Sequence, residues 1–326
     1  LVKEDIELSH IDIFFEKKLS VRLEIQIKGW TMEGENVGDY KILELIPGES
    51  SGIYSVYKAE NVKKPELDLV IKAPSSIALN SIEKYEAAIK RMCGALKILS
   101  GHPSLPSVLD IIKCGEIPCI VMKYIGGKTL NTIMQPSELK ENTFKIAEIL
   151  MFMKKLAEVV AYLHANQVVH RGINPNNIII DRKNRSLVLV GFGYSKMLWE
   201  TQTYNSVAQG SLRTRLSSRN LESMPPEFFT DPQDFSYQGD IYSLGAIFYK
   251  LLFSFGPYNY LIARQNKLTH DRFNTYMNYF KEDQVIPPLT VSQTLEALRT
   301  DIQKKKLNKD SINFFQYQSS KIILLS

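Results

Sequence analysis

His170-Arg171-Gly172-Ile173-Asn174-Pro175-Asn176-Asn177-Ile178-Ile179-Ile180-Asp181 is the stretch on which the fold turns. A polar run rich in asparagine, with one proline, gives way without a break to three isoleucines, which reads as a turn feeding a β-branched strand. Upstream, Phe144 to Ala165 is a long amphipathic helical pattern that runs through Tyr162-Leu163-His164 into this turn. Downstream, Gly191-Phe192-Gly193 interrupts the chain with two glycines around one aromatic residue.

Outward from this centre the two halves differ in character. From Tyr40 to about Tyr124 the chain is strand-rich, with β-branched runs at Ile53 to Tyr57, Leu67 to Ile71 and Pro118 to Met122. One helix interrupts them, with Ile82, Tyr85, Ile89, Met92, Leu96 and Leu99 at steps of three and four. After Gly126-Gly127 helix dominates, and Asp240 to Phe253 is almost wholly apolar and expected to be buried. Ahead of both halves, Val21, Leu23, Ile25 and Ile27 alternate with Arg22, Glu24, Gln26 and Lys28, the period of a half-buried strand. The expected organisation is α+β: an extension over 1–39, a small β-rich lobe over 40–125, a helical lobe over 126–300 and a tail over 301–326.

Six features in order make the chain resemble the eukaryotic-type protein kinases from Tyr40 to Arg299, which implies their bilobal fold. Lys72 ends Leu69-Val70-Ile71-Lys72 on a predicted third strand. Val121-Met122-Lys123-Tyr124 resembles the hinge, His170-Arg171 the catalytic-loop frame, and Asn177 the metal-ligand asparagine. Pro225-Pro226-Glu227 resembles the end of an activation segment, and Asp240-Ile241-Tyr242-Ser243-Leu244-Gly245 the start of the central buried helix. The resemblance makes Lys72, Asn177, Met122 and Tyr124 the candidate nucleotide contacts. It gives His170, Arg171, Glu227 and Asp240 structural roles, with Asp240 holding the amides of the His170-Arg171 turn and Glu227 pairing with an arginine such as Arg299.

Against that frame the chemically decisive carboxylates are missing. Gly172 stands where the family carries its base, and Gly191 where it carries the aspartate that holds Mg²⁺. Losing a positioned base costs ~10²–10⁴ in rate, and a lone asparagine amide is a poor site for a hard divalent cation. Catalytic residues and a metal site are therefore expected to be absent. The turn Ile46 to Val56 keeps only Gly48 and Gly52, misplaced when aligned on Val56, and Glu49 brings negative charge to it. Counting back from His102-Pro103 puts the helix glutamate that would steer Lys72 at Met92 or Cys93, where there is no carboxylate; Glu86 would substitute only if the helix slid. Lys72 is left with three roles open: binding phosphate, pairing with Glu86, or facing solvent. Val70 and Val190 narrow the adenine slot, and with Val56 and Ile179 they would either fill it or leave room for ATP without metal.

The expected function is that of a pseudokinase, a scaffold or allosteric regulator with a protein partner and no required cofactor, ATP binding being metal-independent if it occurs. The alternatives are a kinase-fold transferase using Asp181, Glu49 or Glu86 as its acid, and a nucleotide-sensing switch built on Lys72 and Asn177. The bulk composition agrees with an ordinary globular domain: 44% hydrophobic residues and a net charge of +5. The lysines are scattered apart from Lys304-Lys305-Lys306, so no nucleic-acid partner is expected. No run approaches the roughly eighteen apolar residues of a membrane span. Cys93, Cys114 and Cys119 form no CxxC pair, which favours a cytoplasmic, reducing setting. Leu1 opens the chain without a leader pattern, as a fragment or processed chain would. The five histidines, His10, His102, His164, His170 and His270, show no metal-ligand spacing. The hydroxyls from Thr201 to Ser218 read as a loop open to modification, and Phe314 to Leu325 as an apolar tail.

Overall fold

A computed structural model of the chain describes residues 32–46, 53–75, 78, 82–115, 117–135, 144–198, 221–230, 236–253, 256–258, 280 and 296. The strand expected at Val21 to Lys28, the turn holding Gly48, Glu49 and Gly52, the hydroxyls from Thr201 to Ser218, Arg299 and the tail lie outside the described residues. Two compact units emerge. One comprises 1–127, 166–168 and 188–209; the other comprises 128–165, 169–187 and 210–326. Residues 166–168 and 188–209, which lie within the helical lobe expected over 126–300, group with the first unit.

The first unit is built on an antiparallel sheet of β1 (Asn36–Val37), β2 (Tyr40–Leu45), β3 (Tyr54–Asn61), β4 (Lys64–Pro74), β5 (Val108–Cys114) and β6 (Ile117–Lys123), in the order β1-β2-β3-β4-β6-β5. Between β4 and β5 the chain passes through helix α1 (Ile82–Ile98) to the far edge and returns through β6. Register sets which side chains share a face, because successive residues of a strand alternate. Val56 lies opposite Lys72, Lys58 opposite Val70, and Val70 opposite Met122, so Val56, Val70, Lys72 and Met122 project from one face. On the other face Tyr57, Ala59, Leu69, Ile71, Ala73, Cys119 and Val121 form a closed core with Met32, Ile42 and Cys114. From Ile117 to Met122 every residue of β6 is buried, as a strand covered on both faces requires.

Helix α1 forms where the three-four periodicity predicts it. Tyr85, Ile89, Met92 and Leu96 are buried, and burial of each such side chain stabilises the unit by about 1.5–3 kcal/mol. Glu83 in its first turn and Lys97 in its last complement the helix dipole. The three cysteines are buried thiols, and burial pushes that of Cys93 up to about 12.

In the second unit, β7 (Lys128–Thr129) leads into the short helix α2 (Leu130–Ile133), capped by the Thr129 hydroxyl, which accepts from the Thr132 amide. Helix α3 (Ile146–Ala165) buries Ile149, Phe152, Leu156, Val159, Val160 and Leu163 along one stripe. A 3-10 turn, Pro175–Asn177, feeds strand β8 (Ile178–Asp181), which pairs with β7. Helix α4 (Glu227–Thr230) and helix α5 (Tyr237–Phe253) follow. The apolar pattern of α5 implied burial all round, and here the structure differs. Leu244, Ala246 and Ile247 are buried, but Ile241 is 55% exposed, and Lys250 is drawn in by an ion pair with buried Glu222 at 2.7 Å. Among the described residues no helix is long and apolar enough to cross a membrane.

Candidate functional site

The half of the site in the first unit starts from Lys72 on β4. The lysine is half-buried rather than facing solvent, and its ammonium lies 5.6 Å from the centre of the Tyr54 ring. Met122, 3% exposed, is a neighbour on the same sheet face, while Tyr124 follows the end of β6 and is exposed, its amide donating to the Asp68 carbonyl at 2.9 Å. Beside Lys72 stands α1, at the turn containing Tyr85. The Tyr85 hydroxyl donates to the Pro118 carbonyl at 2.7 Å and also lies 3.5 Å from the Lys72 carbonyl. Burial above all, with nearby Cys119 and Tyr54, pushes this hydroxyl well above its ordinary pKa and keeps it a donor. Glu86, the carboxylate considered for Lys72, follows Tyr85 on α1. Met92 and Cys93, where counting from His102 placed the partner position of Lys72, are buried apolar residues farther along α1.

The glycine segment packs against the same helix. Arg91 Nε donates to the Gly193 carbonyl at 2.9 Å, and the Ser195 hydroxyl closes the 3-10 turn by donating to the Phe192 carbonyl at 2.7 Å. Gly191 has φ +93° and ψ +32°, a backbone that side chains disfavour. Gly193 has a different constraint: a Cβ built on it would sit 2.5 Å from the Tyr54 hydroxyl oxygen.

In the second unit the loop around Gly172 is held by a single carboxylate. Asp240, wholly buried at the start of α5, accepts from the His170 amide at 2.8 Å through Oδ2 and from the Arg171 amide at 3.0 Å through Oδ1. His164 Nε2 meets the same Oδ2 at 3.0 Å. Those bonds hold Arg171 at φ +60°, a conformation non-glycine residues seldom adopt without support. Two asparagine amides then converge on one acceptor: Asn174 Nδ2 and Asn177 Nδ2 donate to the Gly172 carbonyl at 2.8 and 2.7 Å. Asn174 Oδ1 also accepts from the Asn176 amide at 2.9 Å, capping the 3-10 turn. A Cβ at Gly172 would meet Asn177 Nδ2 and His170 Nδ1 at 3.6 Å, ordinary contact distances.

Other candidate groups have structural surroundings. Asp181 accepts from the Lys183 and Asn184 amides at 3.0 and 3.1 Å and from Asn184 Nδ2 at 2.6 Å. The Asn184 amide, first among these bonds, holds its carboxyl below the usual range, the wrong direction for a general acid. Glu227 opens α4. Among the described residues no three His, Cys, Asp or Glu side chains form a metal-binding group.

Among the described residues, the groups at Gly191 and around Lys72 do not fit a magnesium nucleotide. Of the two positions that would ligate the metal, one is a glycine in a conformation that favours glycine, and beside Lys72 lies an aromatic ring. Sequence reasoning passed over two residues here. Tyr54 could have been found as the residue two before Val56, where the nucleotide-covering loop should end in glycine. Glu222 left no local signal, since its importance comes from Lys250, distant in sequence.

Compared with known protein families, residues 48–312 match the protein kinase domain. The match spans well over half of the chain, and the α+β architecture and the loop framed by His170, Arg171 and Asp240 agree with it. The chain belongs to the protein kinase family.

Proposed function

We propose that this chain is a catalytically inactive member of its family, a pseudokinase that acts on a partner protein as a scaffold or allosteric regulator. The observation that carries the reading is the pair of glycines at 172 and 191, where phosphoryl transfer needs a base and a metal-holding carboxylate. At 191 the backbone itself favours glycine. Among the described residues, the candidate acid Asp181 is engaged in its own turn and Glu86 stands on α1. What is retained is the apparatus of shape, the Asp240 clamp and the asparagine-braced loop. The buried free cysteines are compatible with work in the cytoplasm.

The test is a phosphotransfer assay on the purified chain with γ-labelled ATP, Mg²⁺ or Mn²⁺, and both generic substrate and autophosphorylation readouts. Incorporation no greater than that of Lys72→Ala is expected. Sustained ATP turnover that disappears in Lys72→Ala would sink the proposal. A second reading, a switch that holds nucleotide without metal, draws on the survival of Lys72 and Asn177. It predicts a thermal shift at millimolar ATP that is unchanged by chelator, because a ligand bound to the native state raises its stability by mass action.

A further inference from the structure

Tyr54 lies beside Lys72, whose counterpart in this family contacts the nucleotide phosphates. Strand β3 pairs with β4 so that Val56 faces Lys72 and Tyr54 faces Pro74, and alternation puts Tyr54 on the sheet face that carries Val56, Val70, Lys72 and Met122. In the loop that covers ATP in this family, the residue two before that valine is a glycine, so that backbone can close over the phosphates. Here that residue is a tyrosine, and it points into the site: 8% exposed, its ring 5.8 Å from the Tyr85 ring and 5.6 Å from the Lys72 ammonium. Its hydroxyl reaches Gly193 so closely that a Cβ built there would sit 2.5 Å from it, and one of the two would have to shift.

From this juxtaposition we infer that Tyr54 is a built-in plug of the nucleotide site, its ring taking the place beside Lys72 that the α- and β-phosphates would occupy. The inference rests on the reading of the chain as inactive and adds a cause independent of the missing carboxylates. A lysine over an aromatic face is attracted to the ring quadrupole, which substitutes for phosphate charge as the neighbour of the ammonium. Interiors are packed without spare volume, so a triphosphate enters only if the ring leaves. Gly193 is the second half of the device: its missing side chain admits the hydroxyl, and the Arg91 bond to its carbonyl fixes it against α1.

The direct test is equilibrium binding of a fluorescent ATP analogue in chelator. Wild type is expected to show no saturable binding at millimolar nucleotide. Tyr54→Ala should bind at least roughly tenfold more tightly, and Tyr54→Ala/Lys72→Ala should lose what was gained. A folded Tyr54→Ala that binds no better than wild type overturns the plug. So does a wild type that already binds equally well. Should Tyr54→Ala fail to fold, Tyr54→Leu keeps apolar bulk near Val56 while withdrawing the far end of the ring, and is read in the same way. A nucleotide-free cycle supplies an independent readout. Gly193→Ala should lower Tm in wild type and lower it much less in the Tyr54→Leu background, where the colliding hydroxyl is gone; equal losses in both backgrounds refute the contact. Unchanged binding across the Tyr54 variants of a still inactive protein defeats this inference alone, whereas Lys72-dependent turnover by wild type defeats the proposed function.

Discussion

Alanine at 191 and alanine at 172 are the same chemical change at two positions that both lack an expected aspartate, and they should behave in opposite ways. At 191 the backbone sits at φ +93°, beyond the left-handed well centred near +60°, and adding a Cβ there costs about 1–3 kcal/mol. Replacing glycine also removes freedom from the unfolded chain, which offsets about 0.4–1 kcal/mol of that cost. The net loss for Gly191→Ala is then about 1–2 kcal/mol, or a Tm lowered by about 2–8 °C at the usual 2–4 °C per kcal/mol for a domain of this size. At 172 the backbone lies outside the left-handed range and a Cβ would meet its nearest atoms at 3.6 Å, so the same entropy gain is realised without strain. Gly172→Ala should be neutral or more stable by up to about 1 kcal/mol. Differential scanning fluorimetry without ligand decides the matter, with far-UV circular dichroism to show that both variants fold. A Gly191→Ala protein as stable as Gly172→Ala would refute the backbone argument. The aspartate reversions should follow the same order, and the double variant Gly172→Asp/Gly191→Asp should still fail to bind magnesium nucleotide while Tyr54 is in place.

Asp240→Ala should be among the most damaging single changes, because it strips the buried His170 amide, the half-buried Arg171 amide and His164 of their common acceptor while Arg171 stays at φ +60°; at about 1–3 kcal/mol per orphaned group, urea denaturation should register a loss of at least about 3 kcal/mol. The Glu222–Lys250 pair, with side chains 6% and 16% exposed, predicts that Lys250→Met alone costs about 3–5 kcal/mol by leaving a buried charge. Glu222→Leu/Lys250→Met should recover most of that loss, and a double variant no better than the single one would refute the pairing. Burial of Glu148 works against its charge, but the Lys145 amide and the Arg182 guanidinium, two of whose contacts are 2.8 Å, outweigh it and hold the carboxyl below its ordinary value. A group depressed in the folded state stabilises fully above its unfolded pKa, so this contribution should vanish as pH falls below about 4.5 and through the folded value. Arg182→Met should flatten the acid limb of the stability profile and leave the rest unchanged.

Much of this protein was legible in the sequence because it depends on local periodicity and on the identity of single residues. The helices at Ile82–Ile98 and Ile146–Ala165 follow from apolar steps of three and four, and the Ile178–Asp181 strand from its three isoleucines after a turn. The absence of carboxylates at 172 and 191 needs no coordinates, since glycine has no group to offer a proton or a metal. What neighbours do is another matter, because burial and hydrogen bonding belong to pairs of residues far apart in the chain. Counting along the chain leads to Met92 or Cys93 for the partner position of Lys72, and both prove to be buried; the Tyr85 hydroxyl reaching across to the Pro118 and Lys72 carbonyls has no sequence signal. The apolar run of α5 implied burial on all sides, yet Ile241 faces outward and Lys250 is pulled inward by Glu222. Tyr54 is the sharpest case. Its position two before Val56 is a matter of sequence, but sheet register, the approach of Tyr85 and the bare backbone of Gly193 decide that its ring lies by Lys72, and all three are products of tertiary packing.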